Sequence, residues 1–415
     1  MEKKSLETLA KEKQKLKENR KEERKYKHHI RFWKFIRIAA GYIISPLFKF
    51  QGELAPDIPG PYLVVSNHNT DLDPAFLGIC FKKQMYFVAS EHVYRSGLLS
   101  IFLKWAFEPI AKIKGSADTL TVMKMIRYLR SGKNVCLFPE GNRSFNGKTG
   151  EIFEATGKLV KASNASLVTF KLQGGYFATP RWGKGIRRGK VTGKIVKVYT
   201  AEELKTMTPE EITTIIKNDL WEDAYETQAK NPIAYKGKTP TLGFETGYSV
   251  CPKCKTIDSI ASEKNKIYCK SCGMETTLDE YGYFPKDFDF HTVTEWDDFQ
   301  EDFYKNLMKE VSSNSQNSDS LFFDTDVELW NFTENHEETS HGKGTFKMFL
   351  DSFVFETKEE TIIIPLSEIP EVSIHGKKTL VFSATGNLHY ELKSEKLINV
   401  RKYLSCFTAI KNISQ

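Results

Sequence analysis

The residues best suited to chemistry stand together in one polar segment, residues 67–73, which reads Asn-His-Asn-Thr-Asp-Leu-Asp. A histidine with a carboxylate partner commonly activates a hydroxyl near neutral pH, so His68 and Asp73 are a candidate catalytic pair. Residues five apart point about 140° away from each other on a straight helix. The pair can therefore meet only if His68 lies in a turn and Asp73 begins a helix. Asp73 before Pro74 would equally suit a helix N-cap, so the spacing alone leaves both roles open.

A second polar segment, residues 138–144, reads Phe-Pro-Glu-Gly-Asn-Arg-Ser. Gly141 would let the backbone approach a ligand closely, and Arg143 suits bidentate contact with a phosphate. Glu140 cannot bind an anion itself, so we assign it to fixing Arg143 or a hydroxyl of the ligand. Pro-Glu-Gly-Asn is also an ordinary turn sequence, and a purely structural role stays open.

Together the two segments resemble the glycerolipid acyltransferase family, whose members transfer an acyl group to lysophosphatidic acid and related acceptors. The family's Asn-His-x4-Asp motif is matched by Asn67, His68 and Asp73, and its Phe-Pro-Glu-Gly-x-Arg-Ser motif by residues 138–144. The resemblance covers roughly residues 30–230 and implies that His68 is the general base. The residues that it assigns to the acceptor are Asn67, Lys112, Glu140, Gly141, Arg143 and Ser144.

The middle motif of this family differs here, because residues 109–112 read Pro-Ile-Ala-Lys where the family usually ends in arginine. Lys112 can still attract a phosphate, but it lacks the planar fork of arginine, and a solvated surface charge is the alternative. The resemblance implies an acyl thioester as donor, acyl-CoA or an acyl carrier protein, and leaves the acceptor open. An inactive membrane-associated scaffold with the same fold is the competing hypothesis, which the intact His68, Asp73, Glu140 and Arg143 disfavour.

The elements that must position these segments are short apolar runs. Tyr62–Ser66 and Val135–Phe138 directly precede the two polar segments, and Gln84–Ala89 and Leu167–Leu172 are similar runs. Alternation of such runs with amphipathic helices predicts an α/β domain with a mostly parallel sheet over residues 30–235. Parallel sheets place their sites at the carboxyl ends of strands, where both polar segments would lie.

Four cysteines form two CxxC pairs, Cys251 with Cys254 and Cys269 with Cys272, separated by fourteen residues. This is the spacing of a zinc ribbon, so residues 241–291 are predicted to hold one structural zinc with four protein ligands. The other three cysteines are scattered, which suits a reducing compartment. The segment between the pairs has a mild basic excess and one aromatic residue, which argues against nucleic-acid binding.

The net charge of +7 is concentrated at the N-terminus, where residues 1–37 hold fourteen Lys and Arg against six Glu, or +8, leaving about −1 for the other 378 residues. Residues 1–29 are predicted to be a basic charged arm, either a solvated helix or disordered. From Ile30 the pattern becomes amphipathic, which indicates a helix lying in a membrane interface; a core helix with a basic edge is the alternative.

No apolar run near the N-terminus is long enough to cross about 30 Å of hydrocarbon. We therefore expect a peripheral or monotopic protein that contacts membrane lipids on the cytoplasmic side.

Beyond the cysteines, residues 292–311 predict an amphipathic helix and residues 312–320 a flexible, serine-rich linker. Residues 321–415 are predicted to form a small β-rich domain that ends in a helix from about Ser394 to Ile410. Its strand rhythm loosely resembles a GRAM or pleckstrin-homology-like module. The resemblance implies contact with a lipid headgroup or with a protein, and both stay open.

Overall fold

The computed structural model describes residues 2–95, 97–112, 119–313, 319–332, 338–385 and 388–413. The helices are α1 (Glu2–Phe48), α2 (Asp73–Cys80), α3 (Gly97–Ala106), α4 (Thr119–Arg130), α5 (Ala155–Ser163), α6 (Gly175–Ala178), α7 (Ala201–Thr206), α8 (Pro209–Leu220), α9 (Ala224–Lys230), α10 (Val293–Ser313) and α11 (Arg401–Ile413). The strands are β1 (Gln51–Gly52), β2 (Tyr62–Ser66), β3 (Met85–Ser90), β4 (Ile110–Lys112), β5 (Asn134–Leu137), β6 (Ser166–Gln173), β7 (Thr192–Tyr199), β8 (Ile260–Glu263), β9 (Lys266–Cys269), β10 (Glu275–Thr276), β11 (Phe322–Phe332), β12 (Glu338–Met348), β13 (Ser352–Glu356), β14 (Thr361–Pro365), β15 (Val372–His375), β16 (Thr379–Ala384) and β17 (Leu388–Ser394).

The first seven strands form one sheet in the order β1-β7-β6-β2-β5-β3-β4, and only the β6–β7 pairing is antiparallel. All five residues of the central strand β2 are buried. Leu63 and Val65 pack with apolar side chains of α4, α5 and α8, whereas Val64 packs on the other face with Phe76 and Leu77 of α2. Burial on both faces explains the unbroken apolar run. The mostly parallel sheet is confirmed.

The N-terminal segment is one helix, and the predicted change of character at residue 30 is not a structural boundary. Charged residues such as Glu23 and Lys27 pair four residues apart, 2.7 Å between Oε1 and Nζ, which supports the helix in water. Packing on the domain begins earlier than predicted: the Nδ1 atom of His29 lies 3.0 Å from the Tyr86 hydroxyl. Farther along, the Trp33 indole N–H donates to the carbonyl of Phe81. Among the described helices, none has the length and apolarity that a membrane span needs.

The cysteine-bearing region folds as three short antiparallel strands, β8 to β10, and shares a core with the α/β domain. Cys251 and Ile267 belong to the same buried cluster as Trp182 and Phe170. The apolar packing is thus continuous across the sequence boundary predicted between residues 235 and 241.

The C-terminal region is a seven-stranded antiparallel sheet in the order β14-β13-β12-β11-β17-β16-β15, and α11 packs on it. The predicted helix α10 is confirmed, with bounds Val293–Ser313. The closing helix begins later than predicted: Leu388–Ser394 pairs with β16 and β11 as a strand, and the helix starts at Arg401. Of the predicted linker, Ser312 and Ser313 end α10, and residues 314–318 lie outside the described residues.

Candidate active site

The two polar segments meet because β2 and β5 are parallel neighbours whose carboxyl ends lie side by side. His68 follows β2 in a turn, and Asp73 is the first residue of α2. The Nδ1 atom of His68 lies 2.8 Å from Oδ2 of Asp73. Asp73 is fully buried and the His68 side chain is 20% exposed. This is the arrangement predicted for a catalytic pair, with Nε2 of the imidazole as the atom that can accept a proton.

The backbone groups that donate to the Asp73 carboxylate come from residues that precede it in the chain. Its Oδ2 accepts the backbone N–H groups of Asn69 at 2.7 Å and Thr70 at 2.9 Å, in addition to the imidazole. An N-cap would instead accept from N–H groups two or three residues after it. Helix capping therefore does not account for Asp73, whose hydrogen bonds close the turn that carries His68.

Two further residues keep this turn in place. Asn67 is buried, and its amide donates to the carbonyl of Leu172 and accepts that residue's N–H, both at 2.8 Å. It therefore fastens the turn to β6. A Cβ at Gly175 would lie 2.8 Å from Cγ2 of Thr70 and 3.2 Å from Cβ of Asn69, so only glycine fits against the turn without movement.

Glu140 has different partners from those expected. Its Oε1 accepts the backbone N–H of His68 at 2.6 Å, and its Oε2 accepts that of Gly150 at 2.5 Å. Burial between the strand ends raises the pKa of Glu140 to about 8, although both N–H groups favour the carboxylate. Glu140 therefore positions the backbone of the candidate base and does not fix Arg143, while its predicted contact with a hydroxyl of the acceptor stays a prediction.

Arg143 is held by Asp71, a residue to which the sequence assigned no role. The Arg143 Nε lies 3.1 Å from Oδ1 of Asp71, with the arginine side chain 10% exposed and the aspartate 81% exposed.

We name residues 138–144 the acceptor loop. Lys112 ends β4 and reaches this loop: its Nζ lies 3.8 Å from the position of a Cβ at Gly141, which has a φ of +68°. Three of the residues assigned to the acceptor therefore meet at one edge of the sheet.

Ser144 is engaged within the loop. Its hydroxyl donates to the carbonyl of Lys148 at 2.6 Å and accepts the N–H of Gly147 at 2.9 Å. Its own N–H donates to the carbonyl of His68 at 2.9 Å. These bonds tie the acceptor loop to the catalytic turn, so the contacts of Ser144 are those of a positioning residue.

The four cysteines of the two CxxC pairs converge. The sulfur atoms of Cys251 and Cys272 are 3.7 Å apart, as are those of Cys254 and Cys269, and all four lie within 4.8 Å of one another. Tetrahedral zinc with Zn–S bonds of about 2.3 Å requires sulfur atoms about 3.8 Å apart. In each pair the first cysteine's carbonyl accepts an N–H four residues later, from Lys255 and Gly273, which both have positive φ. The two turns are equivalent, and the thiols fit zinc.

Sequence reasoning missed the side chains that surround Arg143. Asp71 is a second carboxylate in the segment that contains His68, but nothing in its distance along the sequence from Arg143 predicts that the two side chains pair. Arg181, which is buried and donates from Nη1 to the carbonyl of Arg143 at 2.9 Å, follows no motif. Long-range pairs of this kind appear only when the strands are in place.

Part of the chain matches a known protein family. Residues 48–173 match the model of the family described as Acyltransferase, which confirms the resemblance drawn from the two motifs. The chain is similar to the crystal structure of the 1-acyl-sn-glycerophosphate (LPA) acyltransferase PlsC from Thermotoga maritima, with 17% identity, 48% of this chain and 80% of that chain covered, and a TM-score of 0.41. It is also similar to the N-terminal PH domain of human ARAP2 (19% identity, 24% and 88% covered, TM-score 0.17). A third similar structure is ISP3 from Toxoplasma gondii (11% identity, 27% and 86% covered, TM-score 0.18).

Proposed function

We propose that this chain, whose residues 48–173 are an acyltransferase domain, moves a fatty acyl group from an acyl thioester to a hydroxyl of a lysophospholipid such as 1-acylglycerol-3-phosphate. The observation that carries the proposal is the 2.8 Å contact between Nδ1 of His68 and the buried Asp73. The donor is acyl-CoA or an acyl carrier protein, since either supplies the thioester.

The geometry supports direct transfer. Nε2 of His68 takes the proton of the acceptor hydroxyl while the hydroxyl oxygen attacks the thioester carbonyl carbon. The C–S bond then breaks, and the leaving thiolate takes the proton from the imidazolium. Asp73 holds the Nδ1–H tautomer and stabilises the imidazolium through its negative charge. Ester and thiol are the products, and no acyl-enzyme forms.

The acceptor's phosphate is assigned to Arg143, which pairs with Asp71 of the segment that carries His68. Arg143 is almost buried and positioned by the exposed Asp71, so its remaining guanidinium donors can meet an anion. Lys112, at the end of β4, reaches Gly141 of this loop and adds a second positive charge. An acceptor with a phosphate close to its free hydroxyl would therefore place that hydroxyl near His68.

Thiol release from an acyl thioester, measured with a panel of lysophospholipids, tests the proposal. We expect turnover with a phosphate-bearing acceptor and a fall of at least ~10² in kcat for His68→Ala. His291→Ala, at an exposed histidine outside the site, serves as the matched control. A folded His68→Ala protein with undiminished transfer would remove His68 as the base. If no acceptor reacts while the protein binds vesicles, the scaffold hypothesis replaces the enzyme.

Arg143→Ala separates acceptor binding from chemistry. The variant should raise the KM for a phosphate-bearing acceptor and leave kcat largely unchanged, because Arg143 binds the ground state and the transition state alike. The matched control is Arg188→Ala, an exposed arginine outside the acceptor loop. An unchanged KM in Arg143→Ala would exclude it from the acceptor site.

We also infer that the α1–α3 surface rests on the cytoplasmic face of a membrane. The two helices pack through aromatic rings, with Phe32 and Trp105 centroids 5.2 Å apart. Their exposed apolar side chains include Phe35, Ile38, Tyr42 and Ile43 of α1 and Ile101 and Trp105 of α3. Such a surface beside a basic helix suits an anionic leaflet.

Vesicle co-sedimentation tests this surface. We expect the double variant Ile101→Asp, Trp105→Asp to lower partitioning at least ~10-fold, because each apolar side chain contributes roughly 1.5–3 kcal/mol when buried. Trp221→Asp, at a half-exposed tryptophan after α8, is the control. Equal partitioning of the double variant and the control would place the membrane contact elsewhere.

We propose that the four CxxC thiols hold one structural zinc. All four coordination positions are taken by protein, so the metal would stabilise the ribbon and would not react with substrate. Metal analysis of the denatured protein should find about one equivalent of zinc per chain, and Cys254→Ser should lower that content. Cys80→Ala, a buried cysteine outside the ribbon, should retain it. Less than about half an equivalent in the native protein would count against the site.

The C-terminal domain is assigned as a pleckstrin-homology-like module because seven antiparallel strands are closed by one terminal helix. Its contact with a lipid or with another protein is part of the proposal.

A further inference from the structure

The β15–β16 hairpin of the C-terminal sheet lies against the acceptor loop. The side chains of Asn142 and Ser373 approach to 3.3 Å, although 231 residues separate them. Buried Arg181 joins the same two elements: Nη1 donates to the carbonyl of Arg143 and Nη2 to that of Ile374, both at 2.9 Å. The acceptor loop, which contains Arg143 as the residue proposed to bind phosphate, is therefore hydrogen-bonded to the C-terminal domain.

A second contact strengthens this interface. The guanidinium groups of Arg181 and Arg401 lie 3.9 Å and 4.3 Å from the ring centroid of Phe145, which follows the acceptor loop. Arg401 begins α11 and pairs with Asp297 of α10 at 2.5 Å and Glu301 at 3.0 Å. The two carboxylates compensate the burial of the Arg401 charge, and the two ring contacts make this a specific interface between the domains.

The tip of the hairpin brings a lysine to this interface. His375 pairs with Thr379, and the intervening residues 376–378 are Gly, Lys and Lys. Lys377 is partly buried and its ammonium donates to the carbonyl of Gly183. An ammonium has three N–H donors, so two remain for a ligand beyond that carbonyl.

The charges around Lys377 favour an anion. Arg143 and Lys184 repel it, while Asp71 and Glu245 attract it, and burial together with the repulsion lowers the pKa of Lys377 to about 8. Asp71 is already paired with Arg143. A phosphate monoester carries a charge of about −1.5 to −2 near pH 7 and would offset the excess positive charge.

We propose that Lys377 belongs to the acceptor site and binds the anionic headgroup together with Arg143, so that the C-terminal domain selects phosphomonoester acceptors over uncharged ones. This inference rests on the proposed acyl transfer and names a specificity-determining residue for it. The hairpin then forms one wall of the site, with the acceptor loop as the other.

Steady-state kinetics with two acceptors test the assignment: 1-acylglycerol-3-phosphate and an uncharged monoacylglycerol. Lys377→Ala should raise the KM for the phosphate acceptor about tenfold or more, the range of a charge-assisted hydrogen bond, with the KM for the uncharged acceptor unchanged. Lys377→Arg should retain most of the phosphate preference. Lys378→Ala, the exposed neighbour on the same tip, should match the native protein.

Two kinetic outcomes would overturn the inference. An equal change in KM for both acceptors would give Lys377 only a structural role at the domain interface. An unchanged KM for the phosphate acceptor would exclude it from the site. If the native protein transfers no acyl group, the proposed function fails, and binding of glycerol 3-phosphate by thermal shift still decides the role of Lys377. Lys377→Ala should then lose that shift and Lys378→Ala keep it; equal shifts in both would refute the site.

Discussion

Replacing Asp73 with asparagine separates the charge of this side chain from its hydrogen bonds. The Oδ2 atom accepts three donors at 2.7–2.9 Å: the Nδ1–H of His68 and the backbone N–H groups of Asn69 and Thr70. Three converging donors exclude an amide nitrogen at that position, so asparagine would place its oxygen there. We expect the variant to keep the turn and the imidazole tautomer and to lose the negative charge.

The size of the effect follows from that charge. An imidazolium and a carboxylate about 4 Å apart attract by about 4 kcal/mol at an effective dielectric constant of about 20. The His68 side chain is 20% exposed, so we reduce this to about 2–3 kcal/mol for solvent screening. Because each 1.36 kcal/mol is about tenfold in rate, kcat should fall by about 10² in Asp73→Asn.

The assay is kcat at saturating acceptor, combined with urea unfolding of each variant. Asp73→Asn keeps both backbone N–H groups paired, but it should lose about 1–3 kcal/mol of stability because its amide nitrogen takes the position of Oδ1, which is buried and has no partner among the described residues. Asp73→Ala leaves two buried N–H groups unpaired at about 1–3 kcal/mol each, and should lower the free energy of unfolding by about 2–6 kcal/mol. A folded Asp73→Asn protein with native kcat would refute the reasoning, since Asp73 would then only close the turn.

Three further perturbations test the surroundings of the site. Glu140→Ala should lower kcat, because the backbone N–H of His68 loses the carboxylate that holds it, whereas the exposed Gly150 can bond to water instead; a native kcat would show that His68 needs no such support. Gly175→Ala should lower kcat more than stability, since its Cβ would displace Thr70 by contact at 2.8 Å, and unchanged kinetics would contradict the tight fit. The KM for a phosphate acceptor should rise above pH 8 in the native protein as Lys377 loses its proton, whereas the KM of Lys377→Arg should stay constant over the same pH range. If KM changes with pH in the same way in both proteins, deprotonation of Lys377 is not the cause.

The meeting of the two motifs could be predicted from the sequence, whereas their partners could not. Each motif follows an apolar run, and carboxyl ends of neighbouring parallel strands meet at one edge, so the proximity of His68 and the acceptor loop followed once the sheet was inferred. Glu140 bonds to a backbone N–H 72 residues away, which no local pattern encodes. The docking of Ser373 on Asn142 spans 231 residues and depends on how two complete domains pack.

The N-terminal helix shows a different limit. Lysine and glutamate favour a helix and also favour water, so a charged run indicates a solvated helix or a disordered arm equally well. The position of Tyr26 decides where the helix meets the domain, because its ring stacks on Tyr86 at a centroid distance of 6.3 Å. A single aromatic residue within a charged run does not indicate, from the sequence alone, that the helix contacts the domain before residue 30.

The placement of α10 explains how a lysine in the last domain can serve a site formed by the first. Trp296 of this helix lies in the core that the α/β domain shares with the cysteine-bearing region, and Tyr304 and Met308 lie in the core of the C-terminal sheet. Arg401 fastens α11 to the same helix through Asp297. One rigid helix thus fixes the β15–β16 hairpin relative to the acceptor loop. Because ligand contacts depend on positions accurate to about 0.5 Å, an anchored interface can supply a binding residue where a flexible tether could not.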